Sequence, residues 1–81
     1  MKPLKAAELS KLVQIGVVRD ARLLATPAGW TAQFNDGAYA AAVENGKARF
    51  FATSDAALRF LHDRGVYQVL VDMTPQSLSR G

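Results

Sequence analysis

Apolar residues recur three and four positions apart near both ends of the chain and at every second position between, and this change of period sets the elements. Over residues 4–15, Ala6, Leu9, Leu12 and Val13 trace one stripe that closes on Gly16, with Lys5, Glu8, Lys11 and Gln14 around it. The spacing predicts an amphipathic helix ending at that glycine. From Val17 the texture shifts to short strands. Residues 20–25 read as a first strand, closed by Thr26-Pro27-Ala28-Gly29, where Pro27 presets one turn dihedral. Residues 30–34 alternate, placing Trp30, Ala32 and Phe34 on one face and Thr31 and Gln33 on the other. Asn35-Asp36-Gly37 and Glu44-Asn45-Gly46 are turn signals of the hairpin kind. They bracket a third strand over 38–43 and lead into a fourth over 47–52.

Thr53 or Ser54 supplies a cap for a second helix, with Asp55 against its dipole and Ala57, Leu58 and Leu61 as its apolar stripe, flanked by Phe60. Asp55, Arg59 and Asp63 form its solvent side and Gly65 stops it. A last strand over 66–73 buries its more apolar set, Tyr67, Val69 and Val71, before Thr74 and Pro75 end it. The predicted order is α-β-β-β-β-α-β. It gives an α+β domain over residues 1–75 and a flexible tail over 76–81, with an antiparallel meander sheet packed on one face by two helices. The last strand is expected to rejoin the sheet beside the first.

With 81 residues the chain makes one domain. A charged fraction of 21% against 49% hydrophobic residues is that of a globular fold rather than a disordered chain. There is no cysteine, which removes disulfides, thiolate zinc sites and a cysteine nucleophile together and favours a reducing compartment. Met1-Lys2-Pro3-Leu4-Lys5 leads into Ala6-Ala7-Glu8 rather than an apolar leader core. The longest charge-free stretch, 23–35, is broken by Pro27 and Gly29. The expectation is a cytoplasmic protein that makes no use of a membrane.

Candidate chemistry is sparse. His62 is the single histidine, so no histidine-pair metal site arises. Its neighbour Asp63 points about 100° away around a helix and is poorly placed to orient it. Asp36 falls in a turn, Asp55 at a cap, and Asp20 and Asp72 at strand ends, where acidic residues have ordinary structural roles. No glycine-rich loop joins a strand to a helix, and Ser10 and Ser54 lack the setting of an activated nucleophile. No catalytic residue, metal, cofactor or small-molecule substrate is therefore expected.

The basic residues change the picture more. Ten Lys and Arg against seven Asp and Glu give a net charge of +3. Arg19 and Arg22 lie at the first strand, and Lys47 and Arg49 on the fourth. Together with Thr31 and Gln33 they suit an open sheet face able to enter a DNA major groove. The plainer alternative is that exposed sheet faces are polar for solubility.

Phe50 and Phe51 are adjacent, so one points away from the face the other occupies. If Phe51 is core, Lys47 and Arg49 share its inward side and reach out along their stems. If Phe50 is core, Phe51 stands on the open face among the basic residues. An exposed phenylalanine with Leu24 and Tyr39 would mark a protein or dimer interface.

Quoted along the chain, Leu4-x-Ala6-x-Glu8-Leu9-x-x-Leu12-Val13-x-x-Gly16 is followed by Ala21, Gly29-Trp30 and Arg49-x-Phe51. Asp55-Ala56-Ala57-x-x-Phe60-Leu61, Gly65 and Val71-Asp72 complete the pattern. Over residues 4–73 it resembles the small ParC-like partition-associated proteins of bacterial plasmids and integrative elements. The resemblance implies a bacterial cytoplasmic protein that assists maintenance of mobile DNA without enzyme activity, and it carries no functional motif across. The resulting expectation is an accessory binding protein that contacts DNA or a DNA-bound partition protein through the open sheet face. A homodimeric adaptor that binds only protein is the alternative.

Overall fold

In the computed structural model, which describes residues 1–73, the chain forms β1 (Lys2–Leu4), α1 (Ala6–Gln14), β2 (Ala21–Thr26), β3 (Gly29–Phe34), β4 (Tyr39–Ala41), α2 (Ser54–Asp63) and β5 (Leu70–Asp72). The expected stop at Thr74 and Pro75 and the tail over 76–81 lie outside the described residues. The strands make one sheet in the order β1-β4-β3-β2-β5. The α+β class is as expected, and β5 does rejoin the sheet beside β2.

The sheet is mixed rather than a pure antiparallel meander. β2–β3 and β3–β4 run antiparallel, whereas β1–β4 and β2–β5 run parallel. Each helix carries the chain back along the sheet, so the strands before and after it point the same way. Tight turns alone would have reversed every neighbour.

Three element boundaries also differ from the sequence reading. The chain begins with a strand, and α1 starts at Ala6. Pro3 biases Lys2 towards an extended backbone, and β1 docks on β4 through Lys2 N–H to Ala38 O and Ala42 N–H to Leu4 O, both 2.9 Å. Proline is tolerated there because β1 is an edge strand. The fourth expected strand, 47–52, is absent as a ladder. After the Glu44-Asn45-Gly46 turn the chain bridges Ala42 through Ala48, then swings across to bridge Trp30 through Phe51. The last strand shortens to three residues. Of the set expected inside, Val69 packs on the core, but Tyr67 is 75% and Val71 42% exposed, and Val66 turns inward instead. Tyr67 rests on His62, with ring centroids 5.1 Å apart.

The helices form where predicted because their ends are closed locally. The Lys5 N–H donates to the Glu8 carboxylate at 3.0 Å, and the Ala56 N–H to Thr53 Oγ1 at 3.1 Å. Leu9 from α1 and Ala57 and Leu61 from α2 meet Ala21, Leu23, Ala32, Phe34 and Ala41 in one buried cluster. Both helices thus cover the same sheet face. Four of these residues are alanines, whose small side chains let the helices sit close to the strands.

The β3–β4 turn has a second task. Asn35 and Asp36 adopt left-handed φ values of 53° and 56°. Asn35 Oδ1 accepts the N–H of Arg19 at 2.8 Å and of Asp20 at 3.4 Å, while its Nδ2 donates to Val17 O at 2.7 Å. One side chain therefore ties the linker after α1 to the far end of β3. Replacing Asn35 with Gly keeps the backbone shape but removes these bonds, for an expected loss of about 1–3 kcal/mol. Asn35→Ala adds left-handed strain of roughly 1–2 kcal/mol. Urea midpoints should fall in the order native, N35G, N35A, and a native midpoint for N35G would contradict the tie.

Candidate functional site on the open face of the sheet

Alternation assigns the uncovered face. Ala21, Leu23 and Ala25 of β2 are buried towards the helices, which sends Arg22, Leu24 and Thr26 to the other side. Cross-strand register then sets Leu24 opposite Thr31, Arg22 opposite Gln33, and Gln33 opposite Ala40. Residues paired directly across antiparallel strands share a face. Ala48, Phe50 and Met1 complete a shallow depression of about 480 Å³ over this surface. Its floor is apolar, and Thr26, Thr31 and Gln33 are its polar side chains.

The orientation of the two phenylalanines follows from one backbone contact. Trp30 N–H donates to Phe51 O at 2.8 Å, and Phe51 N–H to Trp30 O at 2.7 Å. This reciprocal pair puts the Phe51 side chain on the inner face with Trp30. There its ring meets Phe60 of α2 with centroids 5.3 Å apart. Phe50 consequently points outward and is 46% exposed. Gly29 permits the approach: its φ is 125°, and a Cβ at that position would lie 2.7 Å from Phe51 O. Thr31 Oγ1 donates to Arg49 O at 2.9 Å and pins the segment a second time.

The expected basic row does not assemble. Arg22 stays on the open face, with Nη2 3.8 Å from Asp36 Oδ1 in an exposed pair that is worth little to stability. Arg19 sits in the α1–β2 linker beside Val13 and Val18, bordering a different crevice. Lys47 is exposed at the exit of the second turn. Arg49 follows Phe51 to the helix side, its guanidinium carbon 4.8 Å from the Phe60 ring centre. Of the six residues proposed for contact with nucleic acid or a partner, the fold gathers Arg22, Thr31 and Gln33 and disperses Arg19, Lys47 and Arg49.

The interface set divides in the same way. Leu24 and Phe50 line the open face, whereas Tyr39 and Phe51 pack against the core cluster. Ala40, Ala48 and Met1 went unrecognised in the sequence. Ala40 was reachable through its register opposite Gln33. Ala48 was not, because it lies outside any regular strand.

Among the described residues, no three His, Cys, Asp or Glu side chains converge as metal ligands. His62 Nδ1 lies 4.0 Å from Asp63 Oδ1, with both side chains mostly in solvent. No described helix is long and apolar enough to cross a membrane. No family model, curated protein or solved structure matches the chain.

The two phenylalanines should separate cleanly on truncation. Phe51→Ala opens a cavity beside Phe60 and Trp30, and is expected to cost about 3 kcal/mol, the low end for buried phenylalanines, because the ring is only half-buried. Phe50→Ser should stay within about 0.5 kcal/mol of the native chain. Denaturant unfolding gives both values, and the reverse order would invert the face assignment.

Proposed function

We propose that this chain is a non-catalytic accessory binding protein that engages a protein partner through its open sheet face. The observation that carries the reading is the outward Phe50, set with Leu24, Ala40 and Ala48 around the hydrogen-bonding Thr31 and Gln33. Interfaces draw much of their energy from an aromatic anchor ringed by weaker contacts, which is the pattern here. Direct DNA binding is less well supported. Affinity for DNA grows with the number of phosphates neutralised, and this face keeps Arg22 alone of the four candidate cations.

The resemblance to partition-associated proteins supports a setting in the maintenance of bacterial mobile DNA, in the cytoplasm, with a DNA-bound protein as the partner. A symmetric dimer through the same face is a second reading. It is favoured by the scarcity of charge on the face, which lets two copies meet without strong repulsion.

Panning a peptide library against the native chain, with Phe50→Asp and Leu24→Asp variants as counter-selection, tests the surface. The expected outcome is peptides that bind the native protein and neither variant. Peptides indifferent to both substitutions would remove the open face from the function. Labelled duplex DNA, titrated at roughly 50 and 200 mM salt, addresses the competing mode. Tight, salt-sensitive binding lost in Arg22→Gln would replace a protein partner with DNA. Sedimentation of the native chain decides the dimer, and a strict monomer eliminates it.

A further inference from the structure

On the helix side of the sheet, two guanidinium groups converge on one phenyl ring. Arg49 arrives from the segment before α2, and Arg64 caps the C-terminal end of α2, four residues beyond Phe60. Their Cζ atoms lie 4.8 and 5.4 Å from the Phe60 ring centre. The two charges are therefore no further apart than those distances laid end to end.

Each arginine alone has an ordinary explanation. The carbonyl end of α2 attracts a cation at Arg64, and Arg49 is carried inward by the Phe51 pairing and rests its stem on apolar surface. Neither accounts for both charges on the same ring. A phenyl ring attracts a guanidinium to its face, and two guanidiniums held on one ring repel each other whichever faces they take. Among the described residues no carboxylate lies within ion-pairing distance of either, the one arginine–carboxylate pair being Arg22 with Asp36. The Nε of each is sealed from solvent without a hydrogen-bond partner, which is costly for a charged donor. Both residues are partly exposed, and their terminal nitrogens are not among the sealed atoms.

We propose that Arg49 and Arg64, held on the Phe60 ring, form a binding site for one terminal phosphate group. Two unopposed positive charges match a dianion, whereas a single carboxylate would neutralise only one. A phosphate monoester carries nearly two negative charges at neutral pH, and its oxygens suit the planar fork of arginine. The site is separate from the open face and stands whatever binds there.

The test is a titration of the full chain with inorganic phosphate at constant ionic strength, following the arginine Nε–H signals by NMR. Saturable shifts are expected at Arg49 and Arg64, with Arg19, Arg22 and Arg59 unmoved. A parallel titration with phosphoserine distinguishes a monoester ligand from the free ion, and saturation at the same two arginines by either supports the site. Arg49→Lys and Arg64→Lys keep the charge but lose the fork, and each should weaken binding at least tenfold. Unchanged urea midpoints for both would exclude loss of fold as the cause. Shifts that rise linearly, spread over all the arginines or survive both substitutions overturn the proposal. So does equal or stronger response to a short DNA duplex, whose diesters carry one charge each.

Discussion

The two hydrogen bonds exchanged by Trp30 and Phe51 determine which side chains each surface of this protein presents. Side chains alternate along extended backbone, so fixing Phe51 inward fixes Phe50 outward. The contact exists because β4 lasts only three residues, leaving the nearer part of the β3 edge free for the segment that follows. It also depends on Gly29, where any side chain would strike the Phe51 carbonyl. A demand of the core, the burial of Phe51 against Phe60, thus places an exposed aromatic on the opposite face.

The same parity divides the charge. Arg49 lies two residues before Phe51 and goes with it, which takes a cation from the open face and sets it on Phe60 beside Arg64. What remains outside is an apolar floor with three hydrogen-bonding side chains and one arginine offset by Asp36. Such a surface is better matched to another protein than to a row of phosphates. The edge at β1 is less suited to strand addition, since Lys2 and Pro3 occupy it.

Much of this was legible locally. The alternation over residues 30–34, the turn at Asn35-Asp36-Gly37 and the Thr53 cap each express chemistry within a few residues, and each appears in the fold. Features that depend on distant partners were not legible. The strand at Lys2–Leu4 exists because β4 offers an edge some 37 positions later in sequence, as Lys2 pairs with Tyr39. Its own three residues carry no period. The ladder expected over residues 47–52 failed because β-propensity says nothing of whether a neighbouring strand is long enough to pair with. Tyr67 and Val71 looked like core in an alternating run, yet Tyr67 lies outside the paired residues 70–72 and Val71 belongs to an edge strand. At the open face, Leu24, Thr31 and Gln33 followed from alternation. The choice between Phe50 and Phe51 required the Trp30 pairing.

The division of the sheet into a covered and an open face is best tested by NMR with a soluble paramagnetic relaxation agent. Leu24 methyls and the Phe50 ring should relax strongly, while Leu23, Phe34 and Leu61 are spared and Phe51 is affected far less than Phe50. Leu24 and Phe50 as protected as Leu23, or Phe51 relaxed as strongly as Phe50, would contradict the one-sided sheet and the proposed binding surface built on it.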